Sequence, residues 1–233
     1  MAERLRQVYG FDFSLLTSHL RITGISPDSH YSGFDVVRVM LKGFKMRSIH
    51  VLGISGSVRS ASYNTGLLKA ASELLPEKMT LDIFDISRIP IYNDDVRALG
   101  YPESVTEFRD SIATADALLI ATPEYNFSIP GVLKNAIEWA SRPPDPPLDG
   151  KPLAIMGAST GNFGTVRAQQ HLRQICTGTN MLPLNKPEVL VMRAQEKFDA
   201  DGRLVDETAR GLIRDLLAAL LEWTLLIKTR ASP

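Results

Sequence analysis

From residue 47 onward, short apolar runs alternate with stretches of helical period, and this alternation restricts the chain to one kind of architecture. Residues 117–121 are almost continuously apolar, as a strand covered on both faces must be. Residues 49–54, 79–84, 153–158 and 188–192 read as further strands, and residues 64–75, 103–114, 130–141, 165–177 and 207–228 as helices. Strict alternation of five strands with five helices predicts right-handed βαβ crossovers. The expected fold class is therefore α/β, a doubly wound five-stranded parallel sheet with helices on both faces. In such sheets a ligand sits beyond the carboxyl ends of the strands, near the point where strand order reverses.

Three of the loops that follow strands hold unusual residues. After the first strand comes Gly53-Ile-Ser-Gly-Ser-Val-Arg-Ser-Ala-Ser-Tyr-Asn-Thr65, which leads into a helix. A helix start leaves backbone N–H groups without partners and carries a partial positive charge, so an anion placed there gains both hydrogen bonds and field. Ser55, Ser57, Ser62, Asn64 and Thr65 add side-chain donors, and Arg59 adds a charge suited to phosphate. Taken alone, the stretch also reads as an ordinary N-cap on a βα turn. After the third strand comes Thr122-Pro-Glu-Tyr-Asn-Phe-Ser-Ile-Pro-Gly131, in which two prolines stiffen the backbone and polar residues alternate with Tyr125 and Phe127. After the fourth comes Ser159-Thr-Gly-Asn-Phe-Gly-Thr165, whose glycines permit close backbone approach. Loops of this kind suit a planar heterocycle with a polar edge, and a flavin has that form.

The bulk properties exclude several classes. Lys and Arg total 26, as do Asp and Glu, so no long-range basic field draws nucleic acid or an anionic membrane. The single cysteine, Cys176, forms neither an intrachain disulfide nor a multi-cysteine zinc site, and no apolar stretch has membrane-spanning length. A reducing cytoplasm is the expected location. His19, His30, His50 and His171 are scattered without ligand spacing, so no metal site is expected. There is no Gly-x-Ser-x-Gly elbow. Residues 1–45 lack a clear period and read as an N-terminal arm outside the core, with 46–233 as the ligand-binding domain.

Two segments carry a resemblance to a known family. Gly56-Ser-Val-Arg-Ser-Ala-Ser-Tyr-Asn64 and Pro123-Glu-Tyr-Asn-Phe-Ser-Ile-Pro-Gly131, the latter followed by Leu133-Lys-Asn-Ala-Ile-Glu-Trp139, resemble motifs of the NAD(P)H-dependent FMN reductases. These are flavodoxin-like proteins that include chromate, quinone and azo-dye reductases. The likeness spans about residues 47–195. It implies a flavodoxin-like fold, bound FMN, and NADPH or NADH as electron donor. It also implies that Ser57, Arg59, Ser62, Asn64 and Thr65 hold the FMN phosphate, that Pro123, Glu124, Tyr125 and Asn126 line the isoalloxazine, and that Ser159, Thr160 and Gly161 lie near its other edge. The implied activity passes hydride from NAD(P)H through FMN to a small-molecule acceptor such as a quinone, flavin, azo compound or metal ion. No protein acid or base is assigned to this chemistry.

Glycines fall at 53 and 56 but not at 59, so the Gly-x-Gly-x-x-Gly dinucleotide fingerprint is missing, which favours a mononucleotide in the first loop. Arg59, Arg97 and Arg142 are not assigned to a 2′-phosphate. The helix bearing Ile137 and Trp139 reads equally as core or interface; the resemblance favours an interface within a homodimer or homotetramer. The main rival is a flavodoxin-type electron carrier that exchanges single electrons with protein partners, and the balanced charge weighs against it. A nucleotide- or phosphosugar-binding enzyme without flavin is a further alternative, for which the segment 123–126 would have no purpose.

Overall fold

Successive residues of a strand point to opposite faces of its sheet, and here each face carries its own core. The structure, a computed structural model, describes residues 48–231; the arm expected at 1–45 and its boundary lie outside the described residues. In chain order the elements are β1 (Ile49–Ser55), α1 (Tyr63–Glu73), β2 (Met79–Phe84), α2 (Asp94–Ala98), α3 (Glu103–Thr114), β3 (Ala117–Ala121), α4 (Gly131–Ala140), β4 (Pro152–Ala158), α5 (Val166–Gly178), β5 (Leu182–Pro183), β6 (Val189–Val191) and α6 (Glu207–Ala231). Ile49 and Val51 of β1 join Leu67 and Leu68 of α1 and Leu216 and Leu220 of α6 in one core. Leu52 and Ile54, further along β1 and on the opposite face, join Phe108 of α3, Leu133 and Trp139 of α4 and Leu172 of α5 in the other.

The strand order is β2-β1-β3-β4-β5, with β6 pairing to the carboxyl half of β4, and every pairing is parallel. The chain leaves β1 toward one edge to make β2, then crosses back to lay β3 on the other side of β1. The reversal therefore falls between β1 and β3, where Ser55 lies opposite Ala121. The carboxyl edge at this reversal, where such sheets bind their ligands, is thus flanked by the loops after β1, β3 and β4.

Two elements depart from the sequence reading. The sheet has six strands rather than five, because Leu182 and Pro183 pair with Pro152 and Leu153 before the chain reaches β6. A one-turn helix, α2, has no buried residue and so gives no apolar period to detect. The interface reading of α4 is corrected for Ile137 and Trp139. Trp139 is wholly buried and Ile137 nearly so within the fold, the Trp139 indole N–H donates to the Pro90 carbonyl at 2.8 Å, and Asn135 donates to the same carbonyl at 2.8 Å. They are core residues.

Cys176 of α5 is fully buried in the second core, and burial pushes its thiol pKa up to about 12. A raised thiol pKa means that folding favours the neutral form. Its contribution is complete below the unfolded thiol's pKa of about 8.5 and is lost as pH rises from there toward about 12. Thiol reagents at neutral pH are therefore expected to modify Cys176 only at the rate of unfolding. A labelling time course with and without urea checks this, and rapid labelling of native protein would contradict it.

Candidate functional site

The first loop is a network of hydroxyls around a helix start. Ser62 caps α1, its Oγ accepting from the Thr65 N–H at 3.3 Å. The Thr65 hydroxyl meets Ser55 Oγ at 2.9 Å, and Ser55 Oγ in turn accepts from the Ser57 N–H at 3.3 Å. Ser57 Oγ accepts from the Arg59 N–H at 3.4 Å. Arg59 itself is exposed, with its guanidinium 5.7 Å from the centre of the Tyr63 ring. A flexible cation, hydroxyls and the amides of a first helical turn are thus gathered at one point.

Asn64 plays a different part from its neighbours. Its side chain is buried, donating to the Ala158 carbonyl at 3.0 Å and accepting from the Ala158 N–H at 2.9 Å. The amide that the sequence reading offers to a phosphate is committed instead to binding α1 to the end of β4. What Asn64 leaves for an anion is its place in the first turn of α1.

In the second loop, Tyr125 and Ser128 exchange backbone hydrogen bonds at 2.9 and 3.0 Å around Asn126 and Phe127, whose φ angles are +51° and +64°. Two consecutive left-handed residues are what a two-residue type I′ hairpin requires. For phenylalanine this conformation costs on the order of 1–2 kcal/mol, which points to a role for the exposed ring. Glu124 reaches across to α5: one carboxylate oxygen accepts from the Arg167 and Ala168 amides at 2.9 and 3.2 Å, and the other lies 3.4 Å from the Arg167 guanidinium. Thr165 at the helix N-cap position makes no capping bond of its own, so Glu124 supplies the cap from 43 residues away. The Glu124 carboxylate is therefore engaged by the helix.

The third loop folds back over the strand end. A β-carbon at Gly157 would lie 1.9 Å from Thr165 Oγ1 and 2.5 Å from the Thr122 carbonyl oxygen, so only glycine lets the second and third loops close over β4. The Ser159 hydroxyl donates to the Gly164 carbonyl, and the Gly161 carbonyl accepts from the Arg193 amide at 3.1 Å. Thr160 and Gly161 stay exposed.

The fold thus brings Ser57, Arg59, Ser62 and Thr65 together at the first loop. Pro123 to Asn126 and Ser159 to Gly161 follow the two neighbouring strands at the same edge of the sheet. Outside this edge, Arg97 is paired with Asp94 at 2.7 Å and Arg142 with Glu138. Sequence reasoning missed Arg167. Its guanidinium carbon lies 4.3 Å from the centre of the Phe127 ring and 4.9 Å from that of Phe163. An arginine in the first turn of an amphipathic helix gives no signal by itself.

An open parallel sheet of order 2-1-3-4-5, with an anion cradle after its first strand and exposed aromatic residues on the loops beside the reversal point, defines a flavodoxin-type mononucleotide-binding protein. The residues fit FMN. Hydroxyls, first-turn amides and the exposed Arg59 suit its phosphate, and exposed Tyr125, Phe127 and Phe163 offer apolar surface to its ring system.

Comparison with known proteins identifies the family. Residues 49–196 match the NADPH-dependent FMN reductase family. An NAD(P)H-dependent FMN reductase of Pseudomonas aeruginosa is 59% identical over 175 residues, covering 75% of this chain and 95% of that protein. A quinone reductase of Escherichia coli is 37% identical over 183 residues, covering 77% and 97%. The solved structure of FerB, a flavoenzyme NAD(P)H:(acceptor) oxidoreductase from Paracoccus denitrificans, aligns with a TM-score of 0.70 at 35% identity, covering 76% of this chain and 97% of that one. The chain belongs to the NADPH-dependent FMN reductase family and is an oxidoreductase that uses FMN with NAD(P)H as electron donor.

Removing the borrowed cap has a calculable cost. Glu124→Ala leaves two first-turn amides of α5 without their acceptor and is expected to lower stability by about 1–2 kcal/mol. Glu124→Gln, which keeps a neutral oxygen acceptor, should lose less. Equilibrium urea denaturation measures both, and an unchanged midpoint in the alanine variant would refute the capping role.

Proposed function

We propose that this protein catalyses two-electron reduction of quinones: NAD(P)H, H⁺ and quinone yield NAD(P)⁺ and hydroquinone. FMN, when bound, supplies the store that takes up a hydride equivalent from the nicotinamide and passes it to the acceptor. The chain's own contribution is binding and orientation. Ser57, Arg59, Ser62, Thr65 and the first-turn amides of α1, that of Asn64 included, hold the phosphate; Pro123 to Asn126 and Ser159 to Gly161 hold the ring. Fixing the donor and acceptor rings in one crevice replaces random encounter by a held geometry, from which most of the acceleration would come.

The observation that carries this reading is the meeting of an anion cradle and exposed aromatic loops at the reversal point of the sheet. The quinone assignment draws on the relatives named as quinone reductases. No helix among the described residues is long and apolar enough to cross a membrane. We place the enzyme in the cytoplasm, where NAD(P)H is available.

Anaerobic addition of stoichiometric NADPH to the FMN-loaded protein is expected to bleach the flavin absorbance, and 1,4-benzoquinone to restore it. Flavin that stays oxidised with both NADPH and NADH would overturn the reading. Arg59→Ala is expected to weaken FMN binding about tenfold, about 1.4 kcal/mol, by loss of a charge-assisted phosphate contact. Fluorescence titration of the apoprotein with FMN measures it.

We further propose a homodimer or homotetramer. The support is Ile91 and Leu99, apolar side chains 82% and 92% exposed in the segment after β2, which a subunit contact would cover. Sedimentation is expected to give at least a dimer at micromolar concentration, and a monomer would refute this.

A further inference from the structure

We propose that Arg167, with the Phe127 and Phe163 rings, forms a subsite for planar acceptors carrying a negative charge, and that Arg167 makes the enzyme favour anionic quinones over neutral ones of the same size. The proposal rests on the reading of quinones as acceptors given above and adds a charge preference to it.

The first support is the guanidinium's place between the two loops. Phe127 comes from the loop after β3 and Phe163 from the loop after β4, and both rings are close to two-thirds exposed. Arg167 contacts both, at 4.3 and 4.9 Å. A guanidinium is flat and weakly hydrated, so it stacks on aromatic faces while keeping its N–H donors available at the edge. Glu124 Oε1, at 3.4 Å, is the acceptor found for the Arg167 side chain among the described residues. Among the described residues, most of its five N–H donors have no acceptor and can serve a ligand.

The second support is the local charge balance. Glu124 carries a full negative charge beside Arg167, but its Oε2 is held by two amides at the positive end of α5. The Glu124 carboxylate formally cancels the Arg167 charge, and the positive end of α5 leaves the group a partial positive surplus. The enolate of a 2-hydroxyquinone complements this arrangement, having a flat ring for the phenyl groups and delocalised negative oxygens for the N–H fork.

The third support is the cost of presenting Phe127. Its left-handed backbone, at φ +64°, keeps an apolar ring in water where a glycine would hold the same turn without strain. Within the fold the ring meets the Arg167 guanidinium and is otherwise left 64% exposed, which leaves apolar surface for a stacking ligand beside that cation.

The test uses the oxidative half-reaction of the holoprotein, so that NADPH binding does not enter. Flavin reduced with stoichiometric NADPH is mixed anaerobically with 2-hydroxy-1,4-naphthoquinone, anionic at neutral pH, or with 2-methyl-1,4-naphthoquinone, which is neutral. The second-order rate constants are taken as a ratio. Arg167→Gln is expected to lower the anionic-to-neutral ratio about tenfold, with Arg167→Lys intermediate because charge remains while the planar fork is lost. In the wild type the ratio is expected to fall as ionic strength rises. A ratio unchanged in Arg167→Gln, including the case where both constants fall together, would show that the residue only supports the loops and would overturn the proposal. A raised KM for NADPH with an unchanged ratio would assign the guanidinium to the donor instead and overturn it equally. Should the glutamine variant fail to retain FMN, a wild-type ratio indifferent to salt has the same force. If NADPH does not reduce the wild-type flavin, the proposed function fails; dithionite-reduced protein then still yields the ratio, so the two failures are told apart.

Discussion

The site depends on one buried side chain. Asn64 uses both halves of its amide on the backbone of Ala158, 94 residues away, and both bonds are buried. Each bond alone contributes modestly to stability, but losing the partner would strand a buried donor and acceptor together. More important than the energy is what the pair aligns. It fixes the start of α1, where the anion cradle lies, against the end of β4, from which the third loop departs. The first loop and the loops proposed to hold the ring therefore keep a set distance from one another, as a ligand with a phosphate at one end and a ring system at the other requires.

A second crosslink follows the same logic. Glu124 ties the loop after β3 to the helix after β4 by taking over that helix's vacant amides. Gly157 removes the β-carbon that would hold these loops apart. All three loops are thus positioned by contacts with each other and not only by the strands that precede them. A rigid sheet supplies the platform, and three long-range contacts turn its edge into a crevice.

The scaffold could be read from the sequence because its information is local. Strands such as β3 and β4 are apolar throughout, and the helices show a clear period, so each announces itself within a few residues. Leu182 and Pro183 escaped because two residues, one of them a proline, carry no alternation, and α2 because it buries nothing. The site was legible as a set of loops and motifs but not as a set of roles. Asn64 and Glu124 stand inside motif segments, yet their side chains serve the fold, and nothing in either motif names a partner 94 or 43 residues away. Trp139 is open between core and interface on the residues alone, and the resemblance tips it toward an interface; its indole is instead bonded to Pro90 inside the core.

The hairpin at Asn126 and Phe127 bears on how such a protein changes under selection. Glycine at position 127 would relieve the left-handed strain and remove an exposed ring, so a search for thermal stability alone would be drawn to that substitution. The same step would strip the crevice of a wall. Under the proposed subsite, stability and acceptor choice pull against each other at this single position.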